Sequence, residues 1–469
     1  MSNTSKNDRL LDICRDFQES ANNNFNKLEG YIAEHQDNIF KCGKVLSAVG
    51  VNIIASIPNA KVGDLCLVYD QMDPNIRMNA EVMSVKDQTA ILLPFGDLSG
   101  ISTNCVIDKV SDGFKITVGD FMIGKVLDSF GNVLDDMTPD EPIVSEHTIS
   151  TSIQSKAPDA LSRKMINDIF YTGVAAIDLF MTCGYGQRLA IFASPGMGKT
   201  TLLGMIVRNC SADIVVLALI GERGREIKEI IDLELTEEIR KKCIIVVSTS
   251  DRLPVEQVKS MFVAQTIAEY FRDQGKNVLI FTDSITRFAR AQREVGLSSG
   301  EVVARGGFPP SVFLAFPKLM ERAGNNDLGS ITAFYTVLLE QETNIENDPI
   351  ASEVKSIVDG HILLSRKLVE QNHFPAINVL SSLSRIADRL ITPEQLETVK
   401  IARALLAKYE ELEFLLQVGE YKPGTSVFND QAIELRPKIM SILKQNKDDN
   451  ISLDDALAEL SSVVSGVVL

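Results

Sequence analysis

The chain has 469 residues, 45% hydrophobic and 23% charged, with a formal net charge of −16. That length exceeds what one core supports and points to two or three domains, while the acidic balance excludes a protein whose main task is coating nucleic acid or an anionic membrane. No run of eighteen apolar residues occurs, the N-terminus MSNTSKNDRLLDICRD is polar, and seven scattered cysteines and four histidines form no CxxC pair, so neither a membrane span, a secretory signal nor a zinc site is expected, and reduced thiols in a cytoplasm are.

Residues 1–38 form an N-terminal arm in which Leu10, Cys14, Phe17, Ala21, Phe25, Leu28 and Ile32 recur every three or four positions among polar residues. This is the period of an amphipathic helix, packed on its own domain or used as a partner-docking arm. From 39 to 115 the pattern changes to short β runs, KVLSAVGVNIIASI, DLCLVYD, MNAEVMSV, TAILLPF and FKITV, separated by Gly, Asp and Pro, which predicts a small barrel or sandwich. From 116 to 391 apolar runs of strand length (IFA, DIVVLALIG, CIIVVSTS, NVLIFTD, SITAFYTVLL) alternate with helical stretches such as VEQVKSMFVAQTIAEYFRDQ. Near-continuous apolar strands joined by helices predict a parallel sheet buried on both faces. Residues 392–469 read as helical through PEQLETVKIARALLAKYEELEFLLQ and then as a polar, weakly amphipathic tail.

The stretch from Ala193 to Thr200 meets G-x-x-x-x-G-K-[ST] except that Ala193 replaces the first glycine, a change of little cost wherever φ is negative. A strand precedes it and a helix follows. Ser194, Pro195, Gly196, Met197, Gly198, Lys199, Thr200 and Thr201 then form a cradle in which backbone N–H groups and the positive helix end face phosphate oxygens. Lys199 is expected at the β- and γ-phosphates of ATP and the Thr200 hydroxyl on Mg²⁺. NVLIFTDSITRF supplies a second buried strand ending in Asp283, a carboxylate suited to the same cation. DIVVLALIGERGREI puts Glu222 and Arg223 just past a third apolar strand, where the carboxyl ends of parallel strands face the ligand crevice. Glu222 is the candidate to orient the attacking water and Arg223 to stabilise transferring charge, with a surface salt-bridge run as the alternative.

GERGREI, AEYFRDQ, DSITRFARAQREV, GGFPPSVF with ERAG, GSITAFYTVL and PAINVLSSLSR together resemble the catalytic ATPases of type III secretion systems, including the flagellar export ATPase, which are similar in turn to the α and β subunits of rotary ATP synthases. The resemblance runs from about residue 40 to 430. It implies a multidomain fold with a small N-terminal β-barrel, a central α/β P-loop (RecA-like) domain and a C-terminal α-helical domain. It also implies a homohexameric ring with nucleotide sites between subunits. The family's P-loop lysine and Mg²⁺ hydroxyl fall on Lys199 and Thr200, its catalytic glutamate on Glu222, the adjoining arginine on Arg223 and its strand-terminal aspartate on Asp283. Arg385, ending INVLSSLSR, takes the place of the arginine finger reaching the neighbouring subunit's nucleotide, and Phe374 that of an aromatic stacked on adenine, with core packing as its alternative. Relatives place a second aromatic of the C-terminal domain at the base; here Leu416 and Lys422 stand at those places, with Tyr421 nearby.

The loop GEVVARGGFPPSV resembles the segment lining the central channel of such rings, with Phe308, Pro309 and Pro310 as an apolar collar around a central stalk protein and a merely structural turn as the alternative. A stator or regulator on the N-terminal arm, an export gate, secreted substrates with their chaperones, and a place at the cytoplasmic face of the bacterial inner membrane complete the picture. A catalytic subunit of a rotary ATP synthase is the alternative. A non-hydrolysing scaffold subunit is disfavoured because such relatives carry glutamine at the position of Glu222. An RNA translocase is excluded because residues 41–115 hold few basic residues and only Tyr69, Phe95 and Phe114 as aromatics.

Overall fold

Alternation of apolar and polar residues closes the first unit. The computed structural model describes residues 42–138, 148–340 and 345–467 together with Lys27, so the amphipathic reading of residues 1–38 otherwise lies outside the described residues. Contacts divide the chain into Met1–Phe114 and Lys115–Leu469. In the first unit, β1 (Cys42–Val49), β2 (Asn52–Ser56), β3 (Leu65–Tyr69), β4 (Arg77–Lys86), β5 (Thr89–Pro94) and β6 (Val106–Ser111) form a closed barrel in the order β1-β2-β5-β4-β3-β6. Inward positions such as Val45, Ile53, Val68, Val82, Leu92 and Ile107 fill it. The run KVLSAVGVNIIASI is two strands hinged at Gly50 and Val51. The barrel is closed by VIDKVS, which pairs with both β1 and β3. Its alternation is hidden because only Ile107 is buried. FKITV instead gives Lys115–Gly119, paired antiparallel with Thr148–Ser152 in the second unit.

The second unit is built on a ten-stranded sheet, nine strands along its path and a tenth, Gly324–Asn325, paired antiparallel with Ser330–Leu338 off that path. Its path uses β7 (Lys125–Leu127), β8 (Val133–Asp136), β9 (Arg188–Ala193), β10 (Ile214–Glu222), β11 (Cys243–Thr249), β12 (Asn277–Asp283), β13 (Ser330–Leu338), β14 (Gly360–Leu363) and β15 (Leu383–Ser384), in the order β15-β14-β9-β13-β12-β10-β11-β7-β8. From β14 to β7 every pairing is parallel. The central strands are buried on both sides, as their unbroken apolar runs require. Helices α1 (Lys199–Asn209), α2 (Pro254–Asp273), α3 (Ile285–Ser298) and α4 (Pro310–Met320) connect them.

After α5 (Pro393–Gln417) the chain does not run out as a weakly amphipathic tail. It forms α6 (Val427–Leu443) and α7 (Leu453–Val464), which bury Ile439, Ile442, Leu453, Leu457 and Leu460. These side chains belong to one apolar cluster with Leu189, Leu202 and Leu405, so the C-terminal helices share a core with the sheet layer. Pro437 inside α6 and the short polar link 444–452 obscure that periodicity in the sequence. Among the described residues six cysteines are free thiols, and no helix is long and apolar enough to cross a membrane.

One buried ion pair ties α4 to α2. Arg322, fully buried, donates through Nε and Nη2 to the two carboxylate oxygens of Glu269 at 2.6 Å each, and through Nη1 and Nη2 to the Ile153 carbonyl and the Thr266 hydroxyl. Removing one partner leaves an uncompensated buried charge. Glu269→Ala is expected to lower the unfolding free energy by about 3–5 kcal/mol, seen as a fall in the urea midpoint; a loss below about 1 kcal/mol would place the pair in the class of exposed ion pairs instead.

Candidate active site

The anion cradle follows from strand β9 running into helix α1. Ala193 completes the strand, its carbonyl accepting from the Leu339 N–H at 2.9 Å. Gly196 and Gly198 take φ of +81° and +80°, and Gly198 caps α1 in the left-handed conformation, which a Cβ would strain. Met197 is buried beneath the loop, with its sulfur accepting from the Ser194 N–H at 3.4 Å. Pro195, Gly196 and Thr200 are exposed, and Thr201 is half-buried. The glycines and the N-terminal turn of α1 thus present backbone donors outward above an apolar anchor.

Three strand ends deliver the charged groups. Lys199, in the first turn of α1, places Nζ 2.5 Å from Oδ1 of Asp283 and 4.0 Å from Oε1 of Glu222. Asp283 ends β12, buried, and its Oδ1 also accepts from the Thr336 hydroxyl at 2.8 Å. Glu222 ends β10. The register against β11 shifts between Ile220 and Glu222, and Gly221 within that bulge has φ +66°, so the bulge re-aims the glutamate. A side chain at Gly221 would meet Cδ of Arg287 at 2.9 Å.

Arg287 joins this cluster, although none of the roles read from the motifs above falls on it. It lies one turn into α3, which starts directly after Asp283, and Nη2 donates to Oε2 of Glu222 at 3.0 Å while Nη1 donates to the Gly221 carbonyl. The signal was available in DSITRF: an arginine four residues past the strand-terminal aspartate, on the helix that the same strand feeds. Oε1 of Glu222 is buried and accepts no hydrogen bond, with Lys199 Nζ 4.0 Å away. Burial, the neighbouring Glu226 carboxyl and the negative Asp283 push the Glu222 carboxyl up to about 8, against the opposing pull of Lys199 and Arg287.

Other sequence candidates lie outside this cluster. Arg223 is not drawn to Lys199 or Glu222; its side chain is 78% exposed and faces Glu226 at 3.5 Å. Phe374 is half-buried beside the cradle, its ring carbons 3.7 Å from where a Cβ at Gly198 would stand. Tyr421 donates to Asp430 at 2.8 Å, Leu416 is half-buried and Lys422 is exposed. Arg385 follows β15, its N–H donating to the Asp359 carbonyl and its exposed guanidinium 3.5 Å from the Lys355 carbonyl. Asp359 pairs with Arg188 at the start of β9, so Arg385 sits at the amino ends of the parallel strands. The six residues of β9 put it roughly 17–20 Å along the sheet from the chain's own cradle.

Asp283 and Thr200 offer hard oxygen donors. No three His, Cys, Asp or Glu side chains converge as a cation cage among the described residues. That donor set fits Mg²⁺, which keeps waters and takes the rest of its shell from substrate phosphate.

A P-loop lysine, a strand-terminal aspartate and a buried glutamate at the carboxyl edge of a parallel sheet define a P-loop ATPase of the ATP synthase α/β type. Residues 173–384 match the ATP synthase alpha/beta family, nucleotide-binding domain, and residues 391–462 match the T3SS EscN ATPase C-terminal domain. The chain is 42% identical over 413 residues to the SPI-2 type 3 secretion system ATPase of Salmonella typhimurium, covering 88% of this chain and 92% of the relative. It is 39% identical over 430 residues to the flagellum-specific ATP synthase of Bacillus subtilis, covering 92% and 97%. Among solved structures, the assembled ATPase EscN from the type III secretion system of enteropathogenic E. coli superposes with a TM-score of 0.83 at 45% identity, covering 90% of this chain and all of EscN. The chain belongs to the type 3 secretion system ATPase family, and its function is that of a secretion ATPase.

The Glu222 carboxyl is protonated more readily in the fold than in the unfolded chain, so its contribution favours folding below the ordinary carboxylate range and is lost as pH rises through about 8. As the candidate general base Glu222 must be ionised to act, so kcat/KM for ATP is expected to climb between about pH 6 and pH 9 toward a plateau. Arg287→Ala, which removes the cation favouring the carboxylate, is expected to move that limb to higher pH. A flat kcat/KM profile, or a limb unmoved in Arg287→Ala, contradicts the assignment of Glu222 as the titrating group.

Proposed function

We propose that this chain is the ATP-hydrolysing motor of a type III protein secretion apparatus, acting as a homohexameric ring that couples hydrolysis to substrate unfolding, chaperone release and export. The observation that carries the reading is the juxtaposition of Lys199, Asp283 and Glu222 at the cradle, with Arg385 at the far edge of the same sheet. One subunit grips the triphosphate through residues 194–201, with Lys199 on the β- and γ-phosphates. Glu222, through its unpartnered Oε1, accepts a proton from the attacking water, and Arg287 fixes the carboxylate that does so. Arg223, exposed at the rim of the site, turns to the γ-phosphate as it is transferred. Arg385 of the neighbouring subunit adds a planar, permanent positive charge as negative charge develops on the γ-phosphate, a contribution on the order of 10³-fold or more in rate. Thr200 and Asp283 would hold Mg²⁺, which when bound would neutralise phosphate charge. Phe374 stacks on the adenine.

Two structures of the relative EscN support the assembly. EscN has been solved assembled, and also in complex with its central stalk EscO. A corresponding stalk protein here passes the loop of residues 300–312, where Val302 is 81% and Val303 55% exposed and Phe308 packs edge-on against Phe313. A stator on the N-terminal arm, an export gate at the cytoplasmic face of the inner membrane, and secreted substrates with chaperones complete the set of partners.

The shared site has a direct test. Arg385→Ala and Lys199→Ala proteins are each expected to be inactive. Mixed in equal amounts, they are expected to regain ATPase activity, because about a quarter of head-to-tail interfaces then pair an intact cradle with an intact finger. No recovery at any mixing ratio would sink the two-subunit site.

A further inference from the structure

The link between α6 and α7, residues 444–452, is a short polar loop of the C-terminal helices, yet it brackets the P-loop element at both ends. At the far end of α1, Arg208 Nη2 donates to the Lys447 carbonyl at 2.6 Å and Asn209 Nδ2 to the Asp449 carbonyl at 3.1 Å. At the near end, the Gln445 N–H donates to the carbonyl of Phe374 at 2.9 Å, the residue whose ring lies beside Gly198. The Gln445 side chain is 4% exposed and uses both of its polar atoms. Oε1 accepts from the Ala175 N–H at 3.1 Å, and Nε2 donates to the Gly173 carbonyl at 2.8 Å and the Asp449 carbonyl at 2.9 Å. A buried amide satisfied entirely by backbone groups of the Gly173–Ala175 turn and of its own loop, on a residue whose N–H holds the Phe374 carbonyl, fixes these segments relative to one another.

We infer that Gln445 is a positioning residue for ATP binding, which pins the base-facing wall at Phe374 to the C-terminal helices and leaves the phosphate cradle to α1 itself. The inference rests on the proposed placement of adenine against Phe374. Gln445 touches neither base nor phosphate. It holds the Phe374 carbonyl through its own backbone, and its side chain locks that backbone against the Gly173–Ala175 turn. Movement of the C-terminal helices, where the chain resembles the EscN C-terminal domain, therefore reaches the base side of the site before the phosphate side. Arg208 is held independently by the Glu234 carbonyl and carboxylate as well as by the Lys447 carbonyl, so that end of α1 keeps its anchor when Gln445 is replaced.

The test separates base from phosphate. In the full chain, Gln445→Ala is expected to raise KM for ATP and Ki for ADP about tenfold, the scale of one or two lost hydrogen bonds, with kcat and the Ki of inorganic pyrophosphate changed less than about twofold. Adding Gln445→Ala to Phe374→Ala is expected to weaken ADP by less than about twofold beyond Phe374→Ala alone, because both changes remove the same wall. Gln445→Met keeps the volume and removes the hydrogen bonds, and serves as the second variant if the alanine form unfolds. Equal weakening of ADP and pyrophosphate, multiplying effects in the double variant, or loss of folding in both variants would make Gln445 a structural residue and overturn the inference. If Phe374→Ala alone leaves ADP binding unchanged while Gln445→Ala weakens it, the adenine placement fails and the coupling through Gln445 does not.

Discussion

Two buried carboxylates within reach of one lysine set the terms for the rest of the molecule. Asp283 and Glu222 each end a central strand, and neither is tolerable in a low-dielectric site without compensating cations. Lys199 supplies one at 2.5 Å from Asp283, and Arg287 the other at 3.0 Å from Glu222. The compensation works only if three strands and two helices keep their register to a fraction of an ångström. That explains the deeply apolar sheet, in which β10 and β12 are buried almost end to end. The balance is deliberately incomplete: one oxygen of Glu222 stays without a donor, and its carboxyl is pushed up rather than down. The proposed role of Glu222, taking a proton from the attacking water, needs that imbalance.

Most of this was legible in the sequence because strand ends are easy to see and loops carry their own chemistry. The cradle, Asp283 and Glu222 all follow apolar runs, so the rule that parallel strands present their carboxyl ends to a ligand placed them correctly near one another. The barrel strands were read from alternation, except that VIDKVS, with a single buried side chain, hid the closing strand and FKITV was counted in its stead. Arg287 was hidden for a different reason. An arginine on an amphipathic helix has many roles, and its pairing with Glu222 depends on the bulge at Gly221, a backbone feature that residue types do not announce. The C-terminal α-helical domain was expected from the resemblance, while Pro437 and the polar link 444–452 obscured its division into α6 and α7.

That connecting loop changes how the C-terminal helices are understood. They do not merely follow the nucleotide domain; they share its apolar cluster and grip α1 and the Phe374 segment through backbone carbonyls and one buried glutamine. Arg385 lies at the other pole of the same unit, on the amino edge of the sheet, anchored through Asp359 to Arg188. Under the proposed function the chain carries both halves of a site that it cannot close on itself, and assembly is what would join them.

The most direct measurement is a structure of this chain with Mg²⁺ and a non-hydrolysable ATP analogue. The account predicts that Lys199 Nζ leaves Asp283 for the β- and γ-phosphate oxygens, and that a water lies within hydrogen-bond distance of Glu222 Oε1 in line with the γ-phosphorus. A bound triphosphate with Lys199 still bonded to Asp283, or with Glu222 turned away from any water, would contradict it.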